Sequence, residues 1–212
     1  MKIDKLHYIS QALPGRTHLT TIGKVLEAGV KWIQLRVKDL PEAEILELAL
    51  AARMLCDAFG ARLIVNDHPH IALLAKADGV HLGLTDLPVP EARKILGRES
   101  IIGGTANTFE DVLLRVKEGA DYIGLGPFRF TMTKKNLSPV IGPEGYRLLM
   151  ERAADAGIVV PVLAIGGITA ADVPGLLRTG VYGVAISGAL TFAEDLAMEA
   201  QKLRSMIANE PG

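Results

Sequence analysis

Short runs of β-branched and aliphatic residues alternate along this chain with longer segments whose apolar positions recur every three or four residues. The first pattern is that of a strand buried on both faces, the second that of an amphipathic helix. The runs that read as strands are Leu6–Ser10, Trp32–Val37, Leu63–Val65, Gly79–Leu82, Ser100–Gly103, Tyr122–Gly126, Val160–Ile165 and Gly183–Ile186. The segments between them carry helix signals. Pro41-Glu42 opens one, with Ile45, Leu48, Ala49, Ala52 and Leu55 at helical spacing and Gly60 to close it. Thr108, with Asp111 three residues on, has the form of a capping box, and Thr169 with Asp172 repeats it.

Eight strand patterns, each followed by a helical one, predict parallel pairing with helices outside. Right-handed crossovers leave two solutions, an open doubly wound sheet or a closed barrel. The regular repeat, and the lack of a single glycine-rich dinucleotide loop, favour the barrel. The expectation is therefore an α/β chain forming a single-domain (β/α)8 TIM barrel over residues 1–212. No linker or low-complexity segment divides the chain. The longest irregular stretch, Arg129–Pro143, follows the sixth strand, and a loop of that length in a compact domain is usually functional.

Composition narrows the function classes. The chain is 49% hydrophobic and 22% charged, which supports a large core and argues against disorder. Its net charge of −1 supplies no global field to gather nucleic acid or an anionic membrane, so any positive site must be local. The opening MKIDKLHYIS lacks the apolar core of a signal peptide, and no apolar run is long enough to span a bilayer. A soluble, cytoplasmic protein is expected, with homo-oligomerisation left open. The lone Cys56 falls in an apolar helical stretch and reads as a buried, inert thiol.

A barrel of this kind carries its chemistry at the C-terminal ends of its strands. There the second strand reads Gln34-Leu35-Arg36-Val37-Lys38, and alternation puts Gln34, Arg36 and Lys38 on one face with Trp32. Two cations there call for an anion such as phosphate or pyrophosphate, or for local ion pairs at a solvated strand end. The third strand ends at Asn66-Asp67, and Asp86 follows the fourth. Two carboxylates on adjacent strand ends can hold one Mg²⁺, or each can cap the helix that follows it. Thr105 ends the fifth strand, and the long loop carries Thr131, Thr133 and Lys134, two hydroxyls and an amine suited to phosphate oxygens or to a solvated surface. Gly166-Gly167 and Ser187-Gly188 end the last two strands, where this fold commonly binds phosphate. His81 reads as a satisfied core residue, and His68 and His70 as residues of a helix start.

Five motifs in register, Gln34-x-Arg36-x-Lys38, Asn66-Asp67, Gly79-Val80-His81-Leu82-Gly83-x-x-Asp86, Gly126-Pro127-x-x-x-Thr131-x-Thr133-Lys134 and Ala164-Ile165-Gly166-Gly167-Ile168, resemble the thiamine-phosphate synthase family over nearly the whole chain. That family joins hydroxymethylpyrimidine diphosphate to hydroxyethylthiazole phosphate and releases pyrophosphate. The resemblance implies that Gln34, Arg36, Lys38, Asn66, Thr105 and Lys134 bind the diphosphate and that Asp67 and Asp86 ligate one Mg²⁺. It further implies that Thr131, Thr133, Gly167, Ser187 and Gly188 hold the thiazole phosphate, and that Arg36, Lys38 and Lys134 neutralise the leaving group. The sequence departs from the family where Thr105 replaces a serine, Asn107 a histidine, and Ser187-Gly188 a Val-Ser pair. Two other readings stand beside this one. A thiazole tautomerase-like isomerase would rely on a histidine near Asn107, and a non-catalytic phosphate-ligand binder would need none of the leaving-group equipment.

Overall fold

The computed structural model describes residues 2–130 and 139–209. Eight parallel strands close on themselves in chain order: β1 (Leu6–Ile9), β2 (Trp32–Leu35), β3 (Arg62–Asn66), β4 (Gly79–Leu82), β5 (Ile101–Ala106), β6 (Tyr122–Leu125), β7 (Val162–Ile165) and β8 (Gly183–Ile186), with β8 pairing back to β1. The helices that follow them are α1 (His18–Glu27), α2 (Glu42–Ala58), α3 (Pro69–Leu74), α4 (Val89–Leu96), α5 (Phe109–Glu118), α6 (Gly142–Asp155), α7 (Val173–Leu177), α8 (Gly188–Thr191) and α9 (Leu196–Asn209). This is the barrel expected from the alternation of patterns. The long irregular stretch is shorter at its far end than its sequence suggests, because α6 already begins at Gly142.

The two-residue period of each strand sorts its side chains between two cores. Outward-facing Ile33, Leu35, Leu63, Val65, Val80, Leu82, Ile102, Ile123, Val184 and Ile186 pack under the helices in one large buried cluster. Inward-facing Trp32, Ile64, Ile101, Tyr122 and Leu163 fill the lower barrel with Ile3 in a second. His7 stacks on Trp32 at 4.2 Å between ring centres. The Gly103-Gly104 pair shows how tightly both cores are filled. A Cβ on Gly103 would lie 2.2 Å from the Tyr122 ring inside the barrel, and one on Gly104 would lie 2.5 Å from the Arg115 side chain outside it. Each glycine makes room for one large neighbour.

Going up the inside of the barrel, apolar residues give way to polar ones. Trp32 is followed on its face by Gln34, Ile64 by Asn66, and Ile101, past Gly103, by Thr105, all three polar residues being buried. Local signals end the elements as their chemistry dictates. Thr108 caps α5 in a capping box with Asp111, and Thr169 and Asp172 form a second box on the short 3₁₀ turn Ala170–Asp172 before α7. Cys56 is fully buried, and burial pushes its thiol up to about 12, as an inert core residue requires.

Candidate active site

The rim above these polar residues gathers Arg36, Lys38, Asp67 and Asp86, with one correction to the reading of their strand. Strand β2 ends at Leu35, so Gln34, Arg36 and Lys38 do not share one strand face. The ladder to β3 runs only from Trp32 opposite Arg62 to Leu35 opposite Val65. Beyond it the Arg36 backbone N–H donates instead to the Ser10 hydroxyl at 3.1 Å, and the chain turns away. Gln34 stays buried inside the barrel beside the Tyr122 hydroxyl. Arg36 is half-buried, and its guanidinium makes no hydrogen bond to the described residues; burial holds it below its ordinary range while Asp67 works the other way. Lys38 stands in an exposed loop, and its ammonium pairs with the Asp67 carboxylate. One of the two cations therefore has its counter-charge within the protein.

Asp67 and Asp86 are side by side, and neither caps a helix. The caps of α3 and α4 are His68 and Pro88, and neither makes a side-chain capping bond. Asp67 instead adopts φ +66, a region costly for a residue with a Cβ and favoured least unfavourably by Asn and Asp. Its N–H donates to the His81 carbonyl at 2.9 Å, and the His68 N–H closes the turn onto the Asn66 carbonyl at 2.9 Å. Asp86 accepts from the Gly83 N–H at 2.6 Å. Burial, and then the neighbouring Asp67 carboxylate, push the Asp86 carboxyl above its usual range, against Gly83 and Lys38. Among the described residues no cluster of three or more His, Cys, Asp or Glu side chains could hold a metal. What the rim offers a cation is this pair of hard oxygen donors.

Adjacent strand ends are locked by side chains that sequence reading did not single out. Arg115, on α5, is buried; its Nε donates to the Thr105 carbonyl at 3.0 Å, one terminal nitrogen to the Gly83 carbonyl at 2.8 Å, and the other pairs with Glu118 at 2.6 Å. It thereby ties the end of β5 to the turn that carries Asp86. Its signal was an arginine at a core-facing position of the α5 stripe, with Phe109 and Val112. His81 is satisfied inside the barrel as expected, 3.0 Å from the Thr105 hydroxyl and 3.1 Å from that of Tyr122. The Asn107 side chain donates to the Gly126 carbonyl. Ser10, Gln11 and His18 were also missed; Ser10 and Gln11 directly follow β1, and the rule that strand ends carry the chemistry points to them.

Next to the charged rim lies a cavity of about 660 Å³, walled by Ser10, Gln11, Arg36, Pro127, the Gly166-Gly167 turn and Ser187-Gly188. Gly167 has φ +71, and a Cβ there would sit 3.1 Å from the carbonyl oxygens of Arg129 and Phe130, so only glycine fits. Arg129 fastens this wall. It donates to the Gly167 carbonyl at 2.8 Å and grips both oxygens of Asp172 at 2.7 and 2.9 Å, and that guanidinium holds the Asp172 carboxyl down at about 2. Ser187 and Gly188 lie where β8 passes into α8, as their strand-end position implies. Thr131, Thr133 and Lys134 lie outside the described residues. Arg36, Lys38 and Asp86 thus gather around Asp67, with Asn66 and Thr105 buried at the tops of their strands, while Gly167, Ser187 and Gly188 line the cavity, which Arg36 also reaches.

Residues 6–190 match the family described as thiamine monophosphate synthase. A protein of Bacteroides thetaiotaomicron named thiamine-phosphate synthase is 49% identical over 201 residues, 95% of this chain and 96% of its own. One of Bacteroides fragilis with the same name is 50% identical over 198 residues, 93% of this chain and 97% of its own. The solved thiamine phosphate pyrophosphorylase of Pyrococcus furiosus superposes with a TM-score of 0.85 at 34% identity, covering 98% of this chain and 97% of that one.

Proposed function

Because this chain belongs to the thiamine monophosphate synthase family of transferases, we propose that its rim joins hydroxymethylpyrimidine diphosphate to hydroxyethylthiazole phosphate, forming thiamine phosphate and releasing pyrophosphate. The observation that carries this reading is the meeting of Lys38, Asp67 and Asp86 at one strand-end rim, with Arg36 leading from it into the cavity.

The residues suit an Mg²⁺-dependent diphosphate departure. Asp67 and Asp86 would hold the ion: two adjoining carboxylates, one of them already driven toward its protonated form by burial and by the other, would gain from a divalent charge between them. Bound there, Mg²⁺ would supply charge neutralisation to the diphosphate oxygens. The protein's own part is electrostatic and positional. Arg36, Lys38 and Lys134 balance the charge that builds on the departing oxygens, and Gln34, Asn66 and Thr105 orient the pyrimidine diphosphate above the barrel. The bond from the pyrimidine methylene carbon to oxygen breaks first, its electron pair leaving with pyrophosphate. The thiazole nitrogen then gives its lone pair to that carbon. The thiazole phosphate lies in the cavity, its phosphate toward Gly167, Ser187 and Gly188, with Thr131 and Thr133 completing the site. No protein nucleophile or general base is needed. No helix among the described residues is long and apolar enough to cross a membrane, and a cytoplasmic location belongs to the same proposal.

The test is direct. Purified protein mixed with both substrates and Mg²⁺ should yield thiamine phosphate and pyrophosphate in equal amounts, and Asp86→Ala should raise the Mg²⁺ concentration needed. Tight binding of thiazole phosphate with no product from the unaltered protein would instead support a non-catalytic binder.

A further inference from the structure

The cavity has a polar lining residue, Gln11, for which the mechanism above has no use. The segment leaving β1 brings Gln11 against the turn leaving β8, where the Ser187 hydroxyl donates to the Gln11 side-chain oxygen at 3.0 Å. A carboxamide has one accepting end and one donating end. Ser187 occupies the accepting end, and the amide nitrogen meets no acceptor among the described residues. Gln11 is half-buried and lines the same cavity as Gly167, Ser187, Gly188 and Arg36. Two N–H donors held by a hydrogen bond behind them, in a cavity that also receives an arginine, form a preorganised site for an anionic oxygen.

We infer that Gln11 is a substrate-binding residue, its side-chain amide donating to a phosphate oxygen of the thiazole phosphate, and that Ser187 is a positioning residue whose hydroxyl holds Gln11 with its N–H groups toward the cavity. This inference rests on the function proposed above and assigns Ser187 an indirect part in it. It also accounts for the glycine at position 188: the side-chain donor comes from Gln11, held beside this turn by Ser187, so only backbone is needed there.

Gln11→Glu separates the two roles, because it keeps an oxygen to accept from Ser187 while replacing the donors by a carboxylate that repels phosphate. Binding of hydroxyethylthiazole phosphate, and of the unphosphorylated thiazole alcohol, is measured by calorimetry on the unaltered protein, Gln11→Glu, Gln11→Ala and Ser187→Ala, alongside KM for each substrate. Losing a hydrogen bond to a charged group weakens binding about tenfold or more. Gln11→Glu and Gln11→Ala should therefore raise Kd and KM for thiazole phosphate by about tenfold or more, with Gln11→Glu the worse. KM for the pyrimidine diphosphate and affinity for the alcohol should stay within about twofold. Ser187→Ala should weaken thiazole phosphate binding less than either. Gln11→Glu binding thiazole phosphate as tightly as the unaltered protein, or losing the alcohol equally, would overturn the inference and leave the transferase reading intact. Gln11-dependent binding of thiazole phosphate without any thiamine phosphate formed would sustain the inference and sink that reading.

Discussion

Replacing Arg115 by methionine should cost this protein stability and metal affinity together. The substitution keeps a long apolar stem but removes the guanidinium that spans Glu118, the Thr105 carbonyl and the Gly83 carbonyl. The Arg115 side chain is 3% exposed and that of Glu118 16%, so the pair is largely shielded from water. Removing one member of a buried pair costs about 3–5 kcal/mol, chiefly because the other charge is left uncompensated. The residual exposure of Glu118 puts the value toward the lower end, about 3 kcal/mol. For a chain of this size each kcal/mol lowers Tm by roughly 2–4 °C, so a fall of roughly 6–12 °C is expected in thermal unfolding. Because the same residue Gly83 also donates to Asp86, loosening it should raise the Mg²⁺ concentration for half-maximal turnover. Replacing Glu118 by methionine as well should recover part of the loss, since no charge is then stranded. A single variant within about 1 kcal/mol of the parent, or a double variant showing the plain sum of two losses, would refute this account of how β4 and β5 are tied.

Ser10→Ala removes the acceptor of the Arg36 N–H and the hydroxyl 2.9 Å from His18, so KM for the pyrimidine diphosphate should rise severalfold; steady-state kinetics with an unchanged KM would show that Ser10 does not set Arg36. His7 is buried, and burial holds it well below 6.5 despite its bond to the Asp4 carbonyl. Below pH 6.5 the unfolded chain therefore binds more protons there than the folded one. Stability contributed by the neutral ring is complete above 6.5 and declines by up to about 1.4 kcal/mol per pH unit as pH falls. His7→Phe should flatten that decline between pH 6.5 and 5, and an identical slope in denaturant titrations would exclude His7 as its source. Asp172→Ala releases Arg129 from the wall it shares with Gly167 and should raise KM for thiazole phosphate more than KM for the diphosphate; equal rises would mean that the ion pair does not shape the cavity.

Much of the molecule was legible before any coordinates. The alternation of strand and helix periods sufficed for eight βα units, because each period is a local consequence of backbone geometry. The capping boxes at Thr108 and Thr169 were legible for the same reason, being completed within four residues. Asp67 and Asp86 were legible by position, since the C-terminal ends of barrel strands converge whatever their separation in the chain. Their alternative reading as caps was settled only by the structure, which puts His68 and Pro88 at the cap positions of α3 and α4.

The sequence by itself determined the period of every element, the closure of the barrel and the strand ends that bear polar groups, because these follow from local periodicity and a small set of permitted topologies. Only the tertiary structure decided that β2 stops at Leu35, that Lys38 is neutralised by Asp67, that Arg115 locks two strand ends, and that Ser187 meets Gln11 across 176 residues of chain. Each of these depends on distances between segments far apart in sequence. Those distances are set by how side chains pack across the closed barrel, which no local pattern encodes.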